Sequence, residues 1–233
     1  MPRPLRIIVP NLFFHILNRG NNRQTVFRDK DDFLFFIQLL KRYKKELKFR
    51  LYHFCLMPNH THFIIEPTIE GSLSKIMLRL TLAYTWYFNK KYNAVGHVWQ
   101  GRYKSSLLDR ENYFLWCGLY IELNPVRAGL AGRPEEWQWS SYRFYAFGDN
   151  NRLIDGLIDF DPYYLELGDD PLERQKRYQE EIGGTREEFL GNIRKQLDEG
   201  VYGRLEFVRE MKEKFKIKSL RSSGRPKKEE GEK

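Results

Sequence analysis

The chain has 233 residues, 41% of them apolar and 15% aromatic, which allows one main domain with a buried core plus an extension and excludes a disordered composition. Forty Lys and Arg against 31 Asp and Glu give a net charge of +9 and a pI near 9.4; this favours polyanionic partners, nucleic acid foremost, although a generic basic protein fits charge alone. Two cysteines, Cys55 and Cys117, form no disulfide framework or CxxC zinc site, so a cytoplasmic location is expected, with no signal peptide in MPRPLRIIVPNLFF and no apolar run that spans a bilayer.

In chain order, residues 12–20 read as a strand running into a polar loop, NRGNNRQ. Residues 29–47 read as an amphipathic helix with Phe33, Phe36, Ile37, Leu40 and Leu47 at helical spacing and Asp29 or Asp31 placed to cap it. Residues 49–57 read as a strand, Met57-Pro58-Asn59 as a turn, and 60–66 as a second strand antiparallel to it. A helix is expected at roughly 72–92, capped by Ser72, with Leu73, Ile76, Met77, Leu80, Tyr84, Tyr87 and Phe88 as its apolar stripe. The aromatic stretch GHVWQGRYKS leads into a strand near 103–109, and a helix runs from near Glu111 into Asn124-Pro125. This order predicts an α+β fold of ferredoxin-like type, an antiparallel sheet covered by helices. The expected units are a main domain over 1–147, a helical C-terminal extension over 148–218 with helices near 172–182, 186–198 and 204–216, and a charged, solvated tail over 219–233.

Two short motifs carry chemistry. On a strand, His60 and His62 point to the same face and can converge on one metal ion, with Glu66 on the same side and Phe63 and Ile65 on the other. Taken alone, an HxH pair is more often two surface histidines. Tyr120 and Asn124, four residues apart, share a face if helical, although Pro125 disfavours helical geometry at Asn124. Together they suit phosphoryl transfer: a divalent ion on the histidines neutralises developing charge while the phenol attacks and retains the phosphate. No GxxxxGK[ST] or GxGxxG loop is present to bind a nucleotide.

The segments FHILNRGNNRQ, MPNHTHFII, GHVWQGRYKS, YIELNPVRAGL and WSSY, in that order over residues 10–145, resemble the REP-associated tyrosine transposases, a branch of the HUH endonucleases. The U position is usually hydrophobic; here it is Thr61. The resemblance implies a ferredoxin-like HUH domain, Mg²⁺ or Mn²⁺ dependence, metal ligands at His60, His62 and Asn124, and Tyr120 as a nucleophile that forms a 5′-phosphotyrosine and frees a 3′-OH. It also implies a single-stranded hairpin substrate of the repetitive extragenic palindrome type.

Candidate DNA contacts follow from residue type. Asn18, Arg19, Asn21, Asn22, Arg23 and Gln24 offer phosphate and base-edge partners, though a polar surface loop explains them as well. His97, Trp99, Arg102, Tyr103 and Lys104 interleave aromatics with cations, as stacking on unpaired bases requires; for Trp99 and Tyr103 core packing competes more strongly. Arg127, one turn past Asn124, can reach a phosphate or a carboxylate. His15 and His53 read as satisfied sheet residues. The rival functions are a non-catalytic hairpin-binding protein and, ranked low because only two histidines are paired by spacing, a metal-dependent hydrolase. Either a monomer or a homodimer, with no membrane partner, is compatible with the sequence.

Overall fold

A computed structural model describes residues 12–68 and 72–217, with Ser72 described in its backbone alone. The expected Ser72 cap and the tail at 219–233 therefore fall outside what is described.

Strands β1 (Phe13–Arg19), β2 (Phe49–Met57), β3 (His60–Pro67) and β4 (Lys104–Leu108) form an antiparallel ladder, with β1 at the centre paired to β3 and β4. Helices α1 (Lys30–Leu47) and α2 (Ser72–Tyr92) cover one face, and α3 (Asn112–Glu122) packs on the other. This strand–helix–strand–strand–helix–strand order is the expected ferredoxin-like arrangement. The sheet is mixed, because a fifth strand, β5 (Val201–Tyr202), runs parallel to β4 and gives the order β2-β3-β1-β4-β5.

Helix α1 begins at Asp29, whose side chain accepts from the Asp32 backbone N–H while Asp32 reciprocates, a capping box. Asp32 also accepts from Lys91 Nζ and from the hydroxyls of Tyr87 and Tyr92, tying the start of α1 to the end of α2. Phe33, Phe36, Ile37 and Leu40 are buried against the sheet together with Ile76, Leu80, Tyr84 and Phe88 of α2.

Beyond α3 the chain continues as α4 (Asn124–Arg127), α5 (Tyr142–Phe147), α6 (Pro162–Leu165), α7 (Pro171–Gly184), α8 (Glu187–Asp198) and α9 (Leu205–Lys214). The expected extension helices are present as α7, α8 and α9. The expected border at 147–148 coincides with no break in packing: α7 lies on α5, α8 touches α3 and β4, and β5 lengthens the sheet itself. A two-residue strand gives too short a pattern to be read from sequence.

Thr61 lies between the two histidines and points to the helix-covered face. Its hydroxyl is buried and has no hydrogen-bond partner among the described residues. An orphaned buried hydroxyl costs about 1–3 kcal/mol. Thr61→Val keeps the branched shape and should stabilise the fold by about 1 kcal/mol, a rise in Tm of about 2–4 °C for a chain of this size. A lower Tm by calorimetry would refute the assignment of that hydroxyl as unsatisfied.

Candidate active site

The side of the sheet that carries α3 holds a cavity of about 310 Å³. His15, Leu17 and Arg19 of β1 enter it through alternation along the strand, and His60 and His62 enter from β3. Tyr120, Asn124 and Arg127 come from the α3–α4 segment, Lys104 and Ser106 from β4, and Arg194, Leu197 and Asp198 from α8. The two motifs separated in sequence thus meet in one place.

Pro125 shapes the local backbone. α3 stops at Glu122, Leu123 keeps right-handed helical angles (φ −81°, ψ −9°), and α4 starts at Asn124. Pro125 has no N–H to offer the preceding turn. The Asn124 side chain supplies replacements, donating from Nδ2 to the carbonyls of Tyr120 (3.0 Å) and Ile121 (3.2 Å). The amide nitrogen is thereby committed to the backbone, and Oδ1 is the end left to meet a cation.

Both histidines are oriented by neighbours. His62 Nδ1 lies 2.9 Å from His15 Nε2, and His60 Nδ1 lies 2.6 Å from Asn59 Oδ1. Each therefore keeps Nε2 for a ligand, the arrangement in which outer partners fix ring and tautomer. Burial holds all three imidazoles neutral: His15 falls to about 3, His60 to about 4 with help from Arg19 and Arg194, and His62 well below its ordinary range. Two neutral ring nitrogens plus an amide oxygen can hold a divalent cation with coordination positions to spare. Among the described residues no group of three His, Cys, Asp or Glu could do so. Glu66 shares the histidine face but is occupied elsewhere, accepting from Tyr52 Oη (2.5 Å) and Arg50 Nη1 (3.4 Å).

Tyr120 is buried, with its ring edge-on to those of His15 and His62 at 6.3 and 6.0 Å. Burial raises the phenol pKa above its ordinary value, partly offset by Arg127, whose guanidinium carbon sits 5.5 Å from the ring centroid. Arg127 also grips the Glu187 carboxylate through Nε and Nη2 at 2.6–3.1 Å, so of its two expected partners it has a carboxylate here.

The candidate DNA contacts divide by burial. Asn18 and Trp99 are interior residues, 2% and 7% exposed, and cannot meet a strand of DNA as placed. Asn18 faces the helices with Phe14 and Ile16, and Trp99 packs against Phe27, Phe36 and Tyr84. Tyr103 is half-buried, its hydroxyl 3.3 Å from Ser74 Oγ. Asn21, Asn22, Arg23, His97, Arg102 and Lys104 are exposed. The two loops that carry these residues adjoin: Asn21 N–H donates to Val98 O, Gln100 N–H donates to Arg19 O, and Gln24 Nε2 donates to the Val98 and His97 carbonyls. Gln24 therefore braces the second loop. Gly20 permits the crossing, since a Cβ there would lie 2.4 Å from the Gln24 carbonyl oxygen.

Sequence reasoning missed His15 as a cavity residue and missed that the helix expected at 186–198, α8, reaches the cavity. The first was within reach, because His15 shares the alternation of Leu17 and Arg19. No signal in the sequence brings α8 to this place.

No helix among the described residues is long and apolar enough to cross a membrane. No curated protein sequence matches the chain. Among solved structures, a REP-associated tyrosine transposase bound to a REP hairpin is similar in fold, with TM-score 0.52, 18% identity, and coverage of 69% of this chain and 96% of that one. A putative transposase from Deinococcus radiodurans R1 aligns at 20% identity over 52% of this chain and 96% of that one, with TM-score 0.36. The sequence family described as IS200-like transposase matches residues 8–124, half of the chain and every motif from β1 to Asn124. The chain belongs to the IS200-like transposase family.

Proposed function

We propose that this transposase cuts and rejoins single-stranded DNA at a hairpin through a covalent phosphotyrosine on Tyr120, with Mg²⁺ or Mn²⁺ held by His60, His62 and Asn124. The observation that carries the reading is the convergence of those four residues on one cavity from β3 and the α3–α4 segment. The hairpin rests on the transposase of similar fold, which was solved with a REP hairpin bound.

The cation supplies charge neutralisation at the scissile phosphate. The chain supplies the rest. Asn59 and His15 hold the two imidazoles in the ligand tautomer. The helical run through Leu123 presents Tyr120 and Asn124, four residues apart, to the same space. Tyr120 Oη forms a bond to phosphorus as the P–O3′ bond breaks; the phenol proton leaves to solvent and the departing O3′ takes one up. Rejoining is the reverse, with a 3′-OH as nucleophile. One phosphodiester replaces another, so no nucleotide is consumed. Exposed Arg23 and Arg102 on the adjoining loops and Lys104 at the start of β4 provide phosphate contacts, which should weaken with salt.

The test is cleavage of a labelled hairpin with a single-stranded foot. Cutting should need Mg²⁺ or Mn²⁺ and stop with EDTA. His60→Ala and His62→Ala should each slow it by at least about 10²-fold while hairpin affinity changes by less than about threefold, because these groups act on charge that develops during transfer. Full activity in either variant would remove the pair from the site.

A further inference from the structure

Helix α8 lies outside the residues matched by the transposase family, yet it forms one wall of the cavity. Leu190, Ile193 and Leu197 make its buried stripe and seat it against α3, β4 and β5. It is fastened at both ends to elements that carry the site. Near its start Glu187 is gripped by Arg127, three residues past Asn124. Near its end the Leu197 carbonyl accepts from Ser106 Oγ at 2.6 Å.

Arg194, between these fastenings, and Asp198, one turn further on, line the cavity. Four cations border it. Lys104 is 3.5 Å from Asp198, and Arg127 is paired with Glu187. Among the described residues Arg19 and Arg194 have no carboxylate partner. Arg19 stands beside His60 in the β1–β3 register. Arg194 comes from the opposite wall and lines the same cavity as Tyr120 and His60. A guanidinium without a counter-ion, on a helix fastened at both ends and in one cavity with a nucleophile and an imidazole, is suited to a tetrahedral dianion or phosphodiester.

We infer that Arg194 binds the phosphate that Tyr120 attacks, so that α8 contributes a catalytic residue from beyond the family-matched region. The inference rests on the tyrosine chemistry proposed above. The guanidinium hydrogen-bonds the non-bridging oxygens and stabilises the charge that grows on them as Oη–P forms and P–O3′ breaks.

The experiment compares the full chain with Arg194→Gln and Arg194→Lys. Tungstate, a tetrahedral oxyanion, is titrated by calorimetry, and single-turnover formation of the covalent hairpin adduct is timed. Arg194 is exposed, so both variants should melt with the parent. In Arg194→Gln tungstate affinity should fall by at least about tenfold and adduct formation by about 10²-fold, the scale of losing one preorganised donor. Arg194→Lys should recover part of both, since it restores charge without the planar fork. An adduct rate in Arg194→Gln within about threefold of the parent, well short of a donor's usual contribution, overturns the inference and leaves the tyrosine chemistry intact. Unchanged tungstate affinity in Arg194→Gln overturns it as well. Tungstate binding that depends on Arg194, in a protein that forms no adduct at all, upholds the anion site and refutes the tyrosine chemistry instead.

Discussion

Tyr120→Phe should bind hairpin DNA as the parent does and form no covalent adduct. The substitution removes one oxygen and keeps the ring, and the ring is what packs: it is 5% exposed and stands edge-on to His15 and His62. The fold should therefore survive. What is lost is the only atom proposed to attack phosphorus, and the rate should drop by more than about 10³-fold, as when other covalent nucleophiles are removed. Tyr113 is the control. It sits on the same helix about two turns earlier, so position on the helix does not separate the two. Its i+4 neighbour is Cys117, a poor partner for an oxygen-liking cation, where Tyr120 has Asn124. Its ring packs against Trp116 and Tyr202 at 5.3 Å each, and it does not line the cavity. Tyr113→Phe should keep cutting. A denaturing gel detects the adduct and mass spectrometry of the digested adduct locates it; a nucleotide on any peptide lacking Tyr120 would sink the assignment and the role of Asn124 with it.

The largest expected effect on stability lies two residues further on. Glu122 is fully buried, and its carboxylate accepts from the hydroxyls of Ser141 and Tyr178 and pairs with His53 Nδ1 at 2.9 Å. His53 Nε2 lies 3.1 Å from Asp161, which in turn caps α6. His53 thus bridges two carboxylates across a dry interior, and Gly118 makes room for it: a Cβ there would stand 2.5 Å from the imidazole. Burial alone would lower the His53 pKa, but Asp161 and Glu122 outweigh it and raise it to about 9. A raised folded-state value means that the stabilisation is complete below the unfolded value of about 6.5 and declines as pH climbs to about 9, by about 3 kcal/mol in all. Glu122→Ala should cost about 3–5 kcal/mol at neutral pH, because it takes one of two carboxylates from a buried imidazolium and strands the Tyr178 hydroxyl. Denaturant unfolding at pH 6 and pH 9 tests both statements. His53→Gln should flatten the difference between the two pH values; a parent protein equally stable at both would show that His53 is neutral in the fold.

Sequence made the architecture legible wherever the information was local. Helical and strand periodicities placed β1 to α3 within a residue or two, and the HxH alternation and the i,i+4 step from Tyr120 to Asn124 identified residues that the fold brings together. Where the reading failed, the missing fact was which face or which distant partner. Asn18 reads as the start of a polar loop, yet alternation from His15 through Arg19 continues past it and assigns it to the face of Phe14 and Ile16. Trp99 offers a stacking ring by residue type, but core packing, the stronger competitor, is the outcome. His53 read only as a satisfied histidine because its acids, Glu122 and Asp161, lie far along the chain and nothing in their own neighbourhoods points back to β2. The same distance hid the place of α8 at the cavity. Pro125 looked like a helix end; the compensation lies in a side-chain amide whose bonding only geometry reveals.

The two-residue strand β5 places the assembly of this enzyme in time. Leu107 and Leu108 pair with Val201 and Tyr202, and Leu107 N–H donates to Gly200 O. These partners are joined only after nearly the whole described chain has been made. At about 5–20 residues per second of synthesis, His60, His62, Tyr120 and Asn124 precede Gly200 by on the order of ten seconds. Through that interval the nascent chain carries the four proposed site residues with one wall of the pocket still unmade. A chain interrupted before Gly200 lacks the strand that docks α8 against the sheet, and with it the fixed placement of Arg194.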